Sequence, residues 1–223
     1  MKIAVIGAGH IGGHIARRLA SAGHSITLSF ARNPAALLEA LAKKIGAELS
    51  PPAQAVGACE VVVISVPWSV LPEAIRLAGS LEGKVVIDTT NQYGSGPMPS
   101  KGQTAASFNA ARMPGARYTK SFNTLTAAFQ EEVADRPQDQ KVVQWLCGDD
   151  AEAKTIVGGL IRAAGFVPVD IGGIANCEVM EAPRRAGAVY GEEYRASDAG
   201  AVVESVRMGR PIPPSPVYGS ATP

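Results

Sequence analysis

Short runs of apolar, β-branched residues alternate along the chain with stretches whose apolar positions recur at helical spacing. Lys2–Ile6 reads as a first strand and runs into Gly7-Ala8-Gly9-His10-Ile11-Gly12, after which a helical pattern reaches Gly23. A second strand is predicted over 25–30. Leu37, Leu38, Leu41 and Ile45 then form the apolar stripe of a helix opened by Pro34 and ended by Gly46. A short strand near 47–49 and a brief helix after Pro51-Pro52 precede 61–66, a continuous apolar run that suits a strand buried on both faces. Pro67-Trp68 stops that run, a helix follows over 69–78, and a strand over 84–89.

Glycines and prolines make 91–101 a loop. Beyond it the pattern predicts a helix over 104–112, strands over 116–121 and 142–147, a helix to Ala164 and a last strand over 166–170. From 175 to 208 the pattern is mostly helical, and 210–223 is a proline-rich tail, either disordered or an extended arm. This alternation predicts an α/β fold, a doubly wound, mostly parallel Rossmann sheet with a C-terminal helical extension. The expected organisation is a dinucleotide-binding domain over 1–173, a helical segment over 174–209 packed on it, and the tail. Val179, Met180, Val189, Tyr190, Val202, Val203 and Val206 give the extension more apolar residues than an exposed helix needs. They predict a homodimer face that also closes part of the substrate site.

Composition narrows the classes. Hydrophobic residues make up 46% of the 223, enough for one substantial core. Lys and Arg total 21 against 20 Asp and Glu, so no general attraction to nucleic acid or an anionic membrane is implied. No signal-like or membrane-length apolar run is present, so a cytoplasmic protein is expected. Three cysteines, Cys59, Cys147 and Cys177, follow neither zinc nor disulfide-framework spacing, and are read as reduced thiols, Cys59 and Cys177 as small buried apolar groups.

The glycine turn carries the first chemical signal. Gly7 permits a tight turn, Gly9 lets backbone N–H groups approach a pyrophosphate, and Gly12 lets the helix pack closely on the strand. The helix N-terminus offers its free donors to the anion. A ribose without a phosphate is held by a carboxylate roughly 20 residues on, whereas a 2′-phosphate needs a cation. Here the second strand ends in Ala31-Arg32-Asn33-Pro34 with no acid at its tip, so NADP(H) is expected, with Arg32 on the phosphate. His10 and Ile11 lie at the helix entrance; the His10 imidazole either donates to the pyrophosphate or lies on the surface.

Val66, Pro67 and Trp68 follow the fourth strand at the edge where open α/β sheets bind ligands. Trp68 either walls the dinucleotide or covers the helix start. Asn91 and Asn123 reach the same edge, and their amides either meet a nicotinamide carboxamide or form local turns. Asp149 and Asp150 read as helix-capping carboxylates.

The opening turn, Arg32, Ile64-Ser65-Val66-Pro67-Trp68 and the Cys147-Gly148-Asp149-Asp150 junction resemble the NADP oxidoreductases dependent on coenzyme F-420 over roughly residues 1–180. Lys120-Ser121-Phe122-Asn123-Thr124 resembles that family's broad bacterial branch of dinucleotide-binding enzymes. The resemblance implies a single doubly wound domain that passes a hydride between NADP(H) and a deazaflavin. Ala31 stands where the family often carries Ser before the Arg, with Ser29 and Asn33 placed to replace that donor.

No Ser-His-Asp spacing, metal cluster or lysine-centred acid–base pair is evident. That suits transfer between two redox cofactors, where the protein mainly binds and aligns. An alcohol or hydroxy acid dehydrogenase also needs a base. The expected function is therefore an NADP(H)-dependent oxidoreductase whose small-molecule partner is coenzyme F-420 or a flavin-like acceptor. The alternatives are an NADP(H)-binding redox sensor without turnover and a shortened β-hydroxyacid dehydrogenase or imine reductase. The latter would need a large helical second domain, and only about 50 residues follow Asp170.

Overall fold

A computed structural model of the chain describes residues 1–29 and 35–218. In chain order the elements are β1 (Lys2–Ile6), α1 (His10–Ser21), β2 (Ser25–Ser29), α2 (Ala35–Ile45), β3 (Glu48–Leu49), α3 (Pro52–Ala58), β4 (Val61–Ile64), α4 (Leu71–Ala78) and β5 (Val85–Asp88). They continue with α5 (Ala105–Ala110), β6 (Arg117–Ser121), α6 (Ala127–Val133), β7 (Val143–Gly148), α7 (Ala151–Ala163), β8 (Val167–Asp170) and α8 (Ala196–Arg207). Short 3-10 turns cover Trp68–Val70 and Ile174–Met180.

The strands form one eight-stranded sheet in the order β3-β2-β1-β4-β5-β6-β7-β8. Every pairing is parallel except β6 with β7, where Lys120 faces Cys147. Side chains alternate across a strand, so the central strands feed two cores. Ala4, Ile6, Val62, Ile64 and Val86 enter one with α3, α4 and the C-terminal segment. Ile3, Val5, Val61, Val63 and Ile87 enter the other with α1, α6 and α7. The doubly wound, mostly parallel architecture expected above is the one observed.

Several local expectations change. Leu37 is 60% exposed, so the α2 stripe narrows to Leu38, Leu41 and Ile45, half-buried against the second core. Helix α6 falls in a stretch for which the pattern predicted no element; Thr126 caps it, its hydroxyl accepting from the Phe129 N–H. The segment from Ile174 to Met208 is helical at its two ends and irregular between them. A 3-10 turn precedes a run of turns through Arg195, where Pro183, Gly187 and Gly191 interrupt any helix, the two glycines at positive φ. The described tail, 210–218, is an extended arm. Ile212 is buried, the Tyr194 hydroxyl donates to the Pro213 carbonyl at 2.8 Å, and the Tyr218 hydroxyl accepts from the Arg195 N–H at 2.9 Å.

Cys147 and Cys177 form a disulfide rather than staying reduced, because the 3-10 turn folds back over β7 and brings residues separated by 30 positions together. Only Cys59 is a free thiol, and it is buried. The apolar surplus of the extension is taken up inside the chain: Cys177, Met180, Val189 and Val202 are fully buried, and Val179, Val203 and Val206 pack on the first core. That surplus therefore supplies no argument for a second subunit. Among the described residues no helix is long and apolar enough to cross a membrane.

The glycine turn is the tightest point in the sheet's centre. Gly7 has φ +93, and a β-carbon there would stand 2.3 Å from the Ser65 carbonyl oxygen. One at Gly12 would stand 2.0 Å from the Gly7 carbonyl oxygen, whereas one at Gly9 meets nothing within 4 Å. Gly12→Ala should therefore lower the unfolding free energy by about 2–3 kcal/mol. Gly9→Ala should cost no more than about 1 kcal/mol, as an alanine at an N-cap does. Urea unfolding midpoints of the two variants check the contrast.

Candidate functional site

The chain crosses from one side of the sheet to the other between β1 and β4, and their carboxyl ends open a crevice, the place where doubly wound sheets take ligands. Helix α1 points its N-terminus into that crevice. Its N-cap is Gly9, with no side-chain cap and no acid in the first turn, so its leading N–H groups are left for an anion. The empty space at the Gly9 β-position is the clearance a pyrophosphate needs. His10 is exposed and Ile11 half-buried beside it. The Ser29 hydroxyl, at the end of β2, is buried and has no partner among the described residues. Arg32 and Asn33 lie outside the described residues.

At the end of β4, Val66 is buried and Pro67 exposed. Trp68 is buried: its ring stacks on Phe108 at 6.0 Å and its Nε1 donates to the Pro97 carbonyl at 2.8 Å. Its N–H is therefore occupied in holding the 91–101 loop over the strand ends.

Asn91 and Asn123 meet each other. Asn91 Nδ2 donates to the Asn123 carbonyl at 2.8 Å, and Asn123 Nδ2 donates to Asn91 Oδ1 at 3.2 Å and to the Met180 carbonyl at 2.7 Å. Asn123 Oδ1 is buried without a partner among the described residues, an acceptor left for an amide N–H. Both residues line a cavity of about 390 Å³ together with His10, Ile11, Phe122 and Tyr190. Phe122 has φ 58, the left-handed region that a bulky side chain rarely adopts. Such strain costs on the order of 1–3 kcal/mol and is held here by packing against Phe166.

Beneath the cavity lies a network of buried polar groups. Lys120 and Asp88 are fully buried with Nζ 3.5 Å from Oδ2. Lys120 also donates to the Thr90 carbonyl at 2.6 Å. The Asp88 carboxylate accepts from the Thr90 N–H at 2.7 Å, the Tyr118 hydroxyl at 2.6 Å and Asn109 Nδ2 at 2.8 Å. Burial alone would push the Asp88 carboxyl up. The Lys120 charge and the hydrogen bonds from Tyr118, Asn109 and Thr90 outweigh burial and hold it below its ordinary value. Burial and then the neighbouring Asp88 charge push the Tyr118 phenol well above its ordinary value. A lysine–carboxylate pair thus exists where none was evident, because β5 and β6 are neighbours only in the folded sheet. It is sealed from the cavity and supports the site through the backbone that leads from Thr90 to Asn91.

Among the residues expected to bind cofactor, the structure brings Gly7, Gly9, His10, Ile11 and Gly12 to one end of the crevice and Asn91 and Asn123 to the cavity that His10 and Ile11 also line. Trp68 and Pro67 stand one layer behind, under the loop. Phe122, Lys120 and Asp88 were not singled out as site residues, and Tyr190 only as one apolar residue of a subunit face. A lysine inside a strand pattern was the legible signal for the first network. Asp150 caps α7 as expected, accepting from the Ala153 N–H at 2.9 Å, whereas Asp149 does not cap that helix and instead accepts from the Ile174 N–H at 3.0 Å, tying β7 to the 3-10 turn.

A model of the family described as NADP oxidoreductase, coenzyme F420-dependent, matches residues 2–92. Metalloreductase STEAP3 of Rattus norvegicus is 30% identical over 184 residues, which is 81% of this chain and 36% of that protein. The chain therefore spans about a third of that relative's length. Among solved structures, the hypothetical protein SMa0349 from Sinorhizobium meliloti superposes with a TM-score of 0.75 at 25% identity, over 87% of this chain and 95% of that one. A candidate F420-dependent NADP-reductase from Arthrobacter sp. FB24 does so with a TM-score of 0.67 at 26% identity, over 79% and 87%.

The buried pair makes a prediction in acid. Because the folded Asp88 carboxyl lies below its ordinary value of 3.8, its stabilisation is complete above that value and is lost as the pH falls through the lower folded value. Thermal stability should drop below about pH 4, and Asp88→Asn should flatten that drop. Lys120→Met, which strands a buried carboxylate, should cost about 3–5 kcal/mol at pH 7. Melting curves between acid and neutral pH for the three proteins read both effects.

Proposed function

We propose that the chain, whose residues 2–92 match the family of coenzyme F420-dependent NADP oxidoreductases, binds NADP(H) in the β1–β4 crevice and transfers a hydride to a planar acceptor, a deazaflavin or a flavin. The observation that carries the reading is the uncapped N-terminus of α1 beneath the open space at Gly9, at the sheet's crossover. The backbone N–H groups of the turn would hold the pyrophosphate, and Arg32 with Ser29 the 2′-phosphate. Asn123 Oδ1 would accept from the nicotinamide carboxamide, with Asn91 fixing the Asn123 amide. When bound, the dinucleotide supplies the hydride; the chain's residues position it and shield it from water.

The rest of the cavity favours this chemistry over a dehydrogenase of hydroxy acids. Among the described residues its titratable lining groups are His10 and Tyr190, with no lysine or arginine to receive a substrate carboxylate. A hydride passed between two redox rings requires neither a cation for a carboxylate nor a base for a hydroxyl.

Titration of the full chain with NADPH and NADH, repeated on Arg32→Ala, tests the cofactor. NADPH should bind more tightly than NADH, and Arg32→Ala should remove on the order of 1.5–3 kcal/mol of that preference. Equal affinity for the two dinucleotides in the unaltered protein would overturn the assignment of the phosphate. Gly9→Ala, which fills the clearance without disturbing the fold, should weaken both dinucleotides together.

A further inference from the structure

One wall of the cavity comes from the far end of the chain. Tyr190 lies in the run of turns between the 3-10 turn and α8, and its backbone is fixed on both sides. The Val189 N–H donates to the Val179 carbonyl at 2.8 Å, and the Gly191 N–H to the Thr124 carbonyl at 2.8 Å. Val189 is fully buried, so the Tyr190 ring is presented from an anchored segment. Its hydroxyl lies 2.8 Å from that of Tyr93, and the two rings meet edge to face at 6.4 Å. Tyr93 is itself tied back to the site, its N–H donating to the Asn91 carbonyl at 2.8 Å. Tyr93 is 55% exposed and Tyr190 half-buried, so the pair stands at the cavity mouth.

We propose that Tyr190, steadied by Tyr93, is the wall against which the acceptor ring stacks, and so the residue of this chain that sets acceptor affinity. The proposal rests on the dinucleotide reading above, since the acceptor must lie against a nicotinamide. Two rings that exchange a hydride lie face to face at roughly 3–3.5 Å. A rigid aromatic side chain at the mouth of the same cavity offers the acceptor an offset-stacked or edge contact. Burial, followed by the hydrogen bond with Tyr93, pushes the Tyr190 phenol up, so the wall stays uncharged at neutral pH. An uncharged aromatic wall, amides from Asn91 and Asn123 and, among the described residues, no lining lysine or arginine suit a neutral polar ring better than a small anion. The exchange balances within the two rings and water. Two electrons and one hydrogen nucleus leave the reduced nicotinamide and arrive on the acceptor, and one proton from water completes the reduced acceptor.

The test uses the full chain with NADPH and, in separate arms, coenzyme F-420 and FMN. NADPH affinity is measured directly by its fluorescence, and folding by melting temperature. Tyr190→Ala should raise the KM for the ring acceptor on the order of tenfold or more while leaving the NADPH Kd within about twofold. Tyr190→Phe, which keeps the ring, should hold KM within about threefold of the parent. Tyr93→Ala, at an exposed position, should raise the acceptor KM without moving the NADPH Kd, and it serves where Tyr190→Ala fails to fold. The arm that turns over tells a deazaflavin from a flavin. An unchanged acceptor KM in folded Tyr190→Ala, or in Tyr93→Ala where that variant does not fold, would overturn the proposal. An unaltered protein that binds no NADPH, or that binds it but reduces neither ring, would instead sink the reading beneath it, and the proposal with it.

Discussion

Backbone meets backbone at the centre of this sheet, and the rest of the molecule is arranged around that contact. With no β-carbon at Gly7 or Gly12, the turn after β1 lies directly on the end of β4 and α1 settles against the strands. Any side chain at either position would lift the helix away. The same closeness aims the unpaired donors of α1 into the crevice between β1 and β4, so one packing requirement fixes both the core and the anion site. Gly9 differs in kind, since its missing side chain serves clearance rather than packing.

On the other side of the crevice, order comes from charge. Taking Lys120 and Asp88 out of water is costly, and such pairs add little net stability compared with apolar residues of the same volume. What this pair does is geometric. Tyr118, Asn109 and both backbone groups of Thr90 converge on it, tying β5, β6 and α5 to one point. The chain leaving that point enters Asn91, and the chain leaving β6 enters Phe122 and Asn123. The unusual φ of Phe122 is tolerated because its ring is held in the second core while Asn123 is held by Asn91 and Met180.

Much of this was readable in the order of residues. Continuous apolar runs such as Val61–Ile64 announce strands covered on both faces, and the spacing of Gly7, Gly9 and Gly12 announces the turn, because both depend on local pattern. The missing parts depend on partners distant in sequence. Lys120 and Asp88 become a pair only when β5 and β6 lie side by side. Cys147 finds Cys177 only once the 3-10 turn folds back over β7, and spacing alone argued against it. Tyr190 sits among glycines and turns with no periodicity to mark it. The left-handed backbone at Phe122 has no signature at all, since nothing in a phenylalanine predicts it. Helix α6 is short and capped only by a threonine, with too few turns to raise a clear periodic signal.

The reversal of β7 has a consequence for how the cavity is assembled over time and across relatives. Because β7 runs against β6, the chain emerges from β8 at the edge opposite the crevice and must climb the face of the sheet to reach it. Cys177 is bonded to β7 partway up that climb, and Tyr190 lies beyond it. The glycine turn precedes Tyr190 by almost 180 residues, so the cofactor half of the cavity can be complete on a ribosome before its other wall exists. The two halves are also separate stretches of gene. Exchange of the climbing segment would replace one wall of the cavity and leave the turn, the crossover and the crevice as they are.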